Sequence, residues 1–185
     1  MNVLVACEFS GIVREAFIRQ GHDAWSCDLL PSEIPGNHYQ CSIVDVIDKN
    51  WDILIAFPPC THLCSSGARW FKTKTAEQNL ALEFVHFLAS ADEHSKIPMI
   101  ALENPIGVLS TRWRKPDQII QPWMFGHPET KATCLWLKNL PKLVPTDIVE
   151  GRIARVHHEP PSPQRWMNRS RTLSGIAEAM ANQWG

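Results

Sequence analysis

Two short motifs in this 185-residue chain deliver reactive side chains directly after apolar runs. The first is Phe57-Pro58-Pro59-Cys60, which follows the run Trp51–Ala56. Two prolines stop a strand from pairing further and stiffen the turn, so the cysteine that follows stands on a rigid support. One chemistry for such a thiol is nucleophilic attack, with Thr61–Phe71 as a mobile loop beside it. Two other readings compete. Cys60 is a buried structural cysteine, or Cys60, His62 and Cys64 ligate a metal, although their spacing is unlike that of zinc ribbons. The second motif is Glu103-Asn104-Pro105, after Met99–Leu102. A carboxylate at the end of a buried strand is desolvated, and its raised pKa suits it to hold or donate a proton near neutrality. The competing reading is an acid that caps a helix or pairs with a base. A third, weaker group is the small-residue turn Phe9-Ser10-Gly11 with Asp28: the turn lets a ligand approach backbone amides, and the acid can accept bonds from a ribose diol.

These residues need elements to position them. Val3–Ala6 reads as a strand. A helix over Ile12, Ala16 and Phe17 follows and stops at Gly21. Asp23–Asp28 reads as a second strand with Asp28 at its carboxyl end, residues 31–40 as a loop, and Trp51–Ala56 as a buried parallel strand. Residues 75–94 form one long helix, and Met99–Leu102 a further strand that ends before Glu103-Asn104. Lys131–Leu137 pairs as a hairpin with residues near 118–121. Residues 141–166 are irregular, and Ile176–Trp184 is a closing helix. Strands alternating with helices predict an α/β fold with a mostly parallel central sheet, its ligands at the carboxyl edge.

Composition narrows the class. With 44% hydrophobic and 20% charged residues, the chain can bury a substantial core. It has no apolar run of ~18 residues, so no membrane span is expected, and its start shows no secretory leader pattern. The six cysteines read as reduced thiols of a cytoplasmic protein. A net charge of −1 excludes a globally basic nucleic-acid coat, but the charge is uneven. Residues 1–60 hold three basic and eight acidic residues, whereas 151–171 hold five arginines and one acid, a segment suited to phosphate.

The ordered set of Phe9-Ser10-Gly11, Asp28, Pro59-Cys60, Ser66-Gly67, Glu103-Asn104 and Arg171-Thr-Leu-Ser-Gly-Ile-Ala-Glu-Ala-Met-Ala resembles the cytosine-C5 DNA methyltransferases, and among them the short phage- and prophage-type members. The resemblance covers residues 3–107 and 168–184. It implies a Rossmann-like S-adenosylmethionine-dependent methyltransferase fold with helices on both faces of the sheet. Residues 1–185 would form one methyltransferase domain, with residues 140–168 as a short irregular insertion in place of a full target-recognition domain. It assigns Glu8, Phe9, Ser10, Gly11, Asp28, Asp45 and Pro58 to S-adenosylmethionine, and Cys60 and Glu103 to catalysis. It assigns Pro59, Ser66, Gly67, Arg69, Asn104, Lys131, Arg169 and Arg171 to the substrate. Four positions depart from the family pattern: Val13 replaces a glycine, Ser42 an aspartate, Thr61 a glutamine, and Lys131 stands near the usual arginine pair.

The implied reaction is methyl transfer to C5 of cytosine in DNA through a covalent Cys60 adduct. Lys72 and Lys74 beside Arg69, with Arg165 opposite, are further phosphate candidates, and Trp70 is a stacking candidate. The implied setting is the cytoplasm of a bacterium or phage-infected host. The alternatives are a cytosine nucleotide or other cytosine-bearing acceptor, or a catalytically degenerate protein that binds cofactor or nucleic acid. A companion subunit supplying recognition is a further option.

Overall fold

Seven strands pair into one sheet. The computed structural model describes residues 1–70 and 73–185, without the side chains of Arg69 and Trp70 or the surroundings of Gly67. In chain order the elements are β1 (Asn2–Ala6), α1 (Ile12–Arg19), β2 (Asp23–Asp28), β3 (His38–Gln40), β4 (Ile53–Ala56), α2 (Thr75–Ala89), α3 (Ala91–His94) and β5 (Met99–Pro105). They continue with α4 (Leu109–Arg112), β6 (Gln118–Ile120), β7 (Thr133–Lys138), α5 (Arg155–His158), α6 (Arg165–Ser170) and α7 (Ser174–Trp184). The strand order is β3-β2-β1-β4-β5-β7-β6. The five strands from β3 to β5 are parallel; β7 runs antiparallel to both β5 and β6. This is a mixed α/β architecture of Rossmann-like type.

The central strands are apolar because both faces are covered. Val3, Val5, Ile53, Ile55 and Ala101 pack with Phe17 of α1 and with Ile176, Met180 and Trp184 of α7. The alternate residues Leu4, Ala6, Leu54, Ala56 and Leu102 pack with Val85 and Leu88 of α2 and with Trp136. Buried indoles need an acceptor. Trp51 donates to the Val46 carbonyl (2.8 Å), Trp136 to that of Arg114 (2.9 Å) and Trp184 to that of Pro141 (2.9 Å).

The sheet order reverses between β1 and β4. The chain leaves β1 toward the α1 face and β4 toward the α2 face, so a crevice opens between their carboxyl ends. Phe9–Gly11 and Phe57–Cys60 flank that point.

Several boundaries differ from the sequence reading. Residues 31–40 are not wholly loop, because His38–Gln40 pairs in parallel with Ser26–Asp28. The long helix over 75–94 divides at Ser90, whose hydroxyl donates to the carbonyls of His86 and Phe87 and competes with helix continuation. Glu103-Asn104-Pro105 lies within β5 rather than after it, held by pairing to β7. The segment 141–166 carries α5 and the start of α6. The 118–121/131–137 hairpin and the closing helix form as expected.

One buried residue organises the β2–β3 excursion. The side chain of Arg14 on α1 is fully buried and donates to Glu15 Oε1 (3.0 Å), Ser26 Oγ (3.0 Å), Ser32 Oγ (3.1 Å) and the Ile34 carbonyl (2.7 Å). Its guanidinium thereby takes the place of a hydrophobic core for a loop that has little of one. Arg14→Leu removes the donors that tie this loop to α1. It is expected to lower the unfolding free energy by about 3 kcal/mol, read as a reduced urea midpoint with unchanged slope.

Candidate functional site

The turn after β1 is built from inside. Glu8 is 4% exposed, and its carboxylate accepts from the backbone amides of Val13 (2.7 Å) and Arg14 (3.3 Å) and from the Ser10 hydroxyl (3.2 Å). Glu8 therefore caps α1 rather than facing the crevice. Burial pushes its carboxyl up to about 7, against the pull of those donors and of Arg14. Gly11 sits at φ 74°, a left-handed conformation, and a Cβ there would come 2.7 Å from the Arg14 guanidinium. Phe9 is buried under Trp166 of α6, with ring centroids 5.8 Å apart.

Asp28 ends β2, half-buried, with Oδ1 accepting from the Leu30 amide (3.0 Å). Asp45 is exposed on a short 3-10 helix that Ser42 caps through the Val44 amide. Its charge acts on Cys27 near the end of β2.

After β4, the Phe57 amide still bonds to Ala6, and then the ladder ends. The buried Pro58 turns its carbonyl to the Asn104 side-chain amide (2.8 Å). Cys60 opens a helical turn whose Cys64 amide returns to the Cys60 carbonyl (2.9 Å). The two thiols are hydrogen-bonded, and Cys64 also meets Ser66 Oγ at 3.0 Å. The turn is fastened to the segment after β5: Ser65 N–H donates to Ile106, and Val108 N–H to Leu63. Gly107 permits this approach, since a Cβ there would stand 2.0 Å from the Leu63 carbonyl.

Glu103 and Asn104 point to opposite faces of β5, as strand alternation requires. Asn104 holds the proline turn. Glu103 lines a crevice with Phe57, Lys131 and Thr133, closed on one side by Thr172, Leu173 and Ile176. Burial raises the Glu103 carboxyl above its usual range; Lys131 and the Thr133 hydroxyl pull it back. The Cys60 thiol is pushed up by its bond to Cys64, by burial and by the charges of Cys64 and Glu103, and Lys131 opposes this. Cys60, Glu103 and Lys131 thus lie within electrostatic reach of one another, on three separate segments of the chain.

No family model matches the chain, and no curated protein does. Among solved structures, the chain is similar to a protein provisionally described as a DNA modification methyltransferase encoded within an E. coli prophage. The TM-score is 0.57 at 15% identity, over 87% of this chain and 55% of that one. The likeness is one of fold. The chain spans about half the length of that protein.

The remaining sequence-derived residues divide. Pro59 and Ser66 are exposed beside Cys60. Arg169 is half-buried on α6, and its Nε, like that of Arg165, has no hydrogen-bond partner among the described residues. Arg171 was expected on the substrate but forms a two-bond pair with Glu33, at 2.8 and 2.5 Å. Lys74 is exposed at the start of α2. The side chains of Arg69 and Trp70, the surroundings of Gly67, and Lys72 lie outside the described residues. Among the described residues, no three His, Cys, Asp or Glu side chains gather closely enough to hold a metal, and no helix is long and apolar enough to cross a membrane. Sequence reasoning missed Arg14, Glu33 and the Cys60–Cys64 contact. Only the four-residue Cys60–Cys64 spacing was a usable signal.

Glu8 yields a pH prediction. Its folded pKa of about 7 exceeds the ordinary 4.5, so the folded state binds the extra proton between those values. Its contribution to stability is complete below about pH 4.5 and is lost as pH rises through about 7. In urea melts, Glu8→Gln is expected to lack this component, so that wild-type and variant stabilities change relative to each other across that window and run parallel above it.

Proposed function

We propose that this chain transfers the methyl group of S-adenosylmethionine to C5 of cytosine in DNA through a covalent Cys60 adduct. The observation that carries the reading is the convergence of Cys60, Glu103 and Lys131 at the carboxyl edge of the sheet, next to the switch point flanked by Phe9–Gly11. The fold shared with the prophage protein supports a DNA methyltransferase in general. The motif order supports the cytosine chemistry.

The residues present fit the cofactor. Asp28 uses one carboxylate oxygen on Leu30 and leaves the other for a ribose diol. Phe9, Ser10, Gly11 and the Pro58 turn follow the carboxyl ends of β1 and β4, the two strands that flank the switch point, and would border the cofactor with Asp45. When bound, S-adenosylmethionine supplies an electrophilic methyl group. The chain's own residues make cytosine able to accept it. Cytosine C5 is a poor nucleophile until the Cys60 thiolate adds to C6. The new S–C6 bond shifts an electron pair toward C5, while Glu103, whose carboxyl burial pushes above its usual range, gives or shares its proton at N3. Lys131 stabilises the thiolate that Cys64 and burial disfavour. Once C5 carries the methyl group, its proton leaves to water, the electron pair expels Cys60 as the thiolate, and N3 returns its proton to Glu103. A base in duplex DNA must first leave the stack, at a cost of a few kcal/mol. Arg165 and Arg169, both on α6, are the arginines assigned to phosphate.

A second reading is supported by the shortness of residues 140–168, which hold only α5 and the start of α6 where a recognition domain would stand. There the acceptor is a cytosine nucleotide, or a companion subunit supplies recognition of DNA.

The test is transfer of labelled methyl from S-adenosylmethionine to cytosine-containing DNA, with dCMP as the competing acceptor. Cys60→Ser is expected to abolish transfer, and Glu103→Gln to lower kcat about 100-fold or more. DNA containing 5-fluorocytosine should trap a covalent adduct with the wild type and none with Cys60→Ser. Label incorporated by Cys60→Ser at the wild-type rate would remove the nucleophile assignment, and transfer to dCMP alone would replace DNA as substrate.

A further inference from the structure

Arg171 has two attachments that no motif predicts. Its guanidinium reaches across the carboxyl edge of the sheet to Glu33, on the loop between β2 and β3: Nε meets Oε2 at 2.8 Å and Nη2 meets Oε1 at 2.5 Å. Nη1 donates to Asn168 (2.7 Å), which keeps the fork aligned. Glu33 is itself tied to the first turn, because its amide donates to the Phe9 carbonyl (2.8 Å). At its other end, the Arg171 carbonyl accepts from Lys131 Nζ at 3.3 Å. Lys131 is the cation in electrostatic reach of both Glu103 and Cys60. A continuous path of contacts therefore runs from Phe9 through Glu33 and Arg171 to Lys131. Thr172 and Leu173, next along the chain, line the crevice with Glu103.

We infer that Arg171 is a positioning residue that joins the two halves of the site: its pair with Glu33 anchors the segment Arg165–Leu173 over the first turn, and its carbonyl thereby holds Lys131 beside Cys60 and Glu103. A lysine has four flexible carbons and three freely rotating donors, so it needs such a fixed acceptor to be held at one place. The Glu33 and Arg171 side chains are each about one-third exposed (32% and 31%), so their pair adds little to overall stability and its removal leaves the protein folded. The role in methyl transfer rests on the function proposed above; the placement of Lys131 does not.

The test reads the local charge at Cys60. Wild-type protein is alkylated with iodoacetate and, separately, with iodoacetamide, and modification of the Cys60 peptide is timed by mass spectrometry. The ratio of the two rates reports the positive charge beside the sulfur; accessibility and thiolate fraction affect both reagents alike. Lys131→Met is expected to lower the ratio about threefold. Glu33→Ala and Arg171→Ala should lower it nearly as far, Arg171→Lys by less, and the exchanged pair Glu33→Arg with Arg171→Glu should restore most of it. An unchanged ratio in Glu33→Ala and Arg171→Ala overturns the inference, as does an unchanged ratio in Lys131→Met. Methyl transfer is measured on the same samples. If the ratios behave as expected while the wild type transfers no methyl group, the proposed function fails and the positioning role stands. If transfer is robust and Glu33→Ala matches the wild type in kcat, in KM and in the ratio, the positioning role alone fails.

Discussion

The hydrogen bond from Asn104 to the Pro58 carbonyl is the constraint on which the rest of the site depends. A chain leaving a buried parallel strand through two prolines has no amide to continue the ladder, yet its carbonyl still needs a donor. Asn104 is almost completely buried on the next strand and supplies one. That bond fixes the Cys60 turn against β5. Because side chains alternate along a strand, it also turns the adjacent Glu103 to the opposite face, where the crevice lies. Two neighbouring residues of one motif thus do separate work: one holds the loop that carries the thiol, and the other presents a carboxyl to the pocket.

The first turn shows a similar division. Glu8 and Arg14 are both buried, and both face inward. Glu8 satisfies the amides that open α1, and Arg14 satisfies the loop that leads from Asp28 to β3. Neither is available to a ligand, but the left-handed Gly11 and the position of Asp28 both rest on them. The electrostatics follow from this enclosure. Burial raises Glu8 and Glu103, the bond to Cys64 and then burial raise Cys60, and Lys131 is the cation that opposes the trend at Cys60 and Glu103.

Much of the fold was legible because parallel strands with both faces covered read as uninterrupted apolar runs. Val3–Ala6, Ile53–Ala56 and the Asp23–Asp28 strand fall where the apolar and turn residues put them. His38–Gln40 was not legible: its three residues are polar or half-buried, and only pairing with β2 makes them a strand. The Ser90 break in the long helix was hidden because Ala91–His94 are again helix formers, and the serine hydroxyl at the junction competes for the helix carbonyls. Arg171 read as a phosphate ligand because its segment is rich in arginine; its partner Glu33 lies 138 positions away in the sequence.

The sequence by itself determined which chemistry the chain can offer and in what order it is delivered: a thiol after two prolines, a carboxyl at the end of an apolar run, a glycine turn and an acid after the first two strands. These are local matters, set by residue type and spacing. Only the tertiary structure decided which groups meet. Lys131 reaches Cys60 and Glu103, Glu8 turns away from the crevice, and Arg171 spans to Glu33, because long-range pairing of strands brings distant segments to one edge of the sheet. No short window of sequence records that geometry.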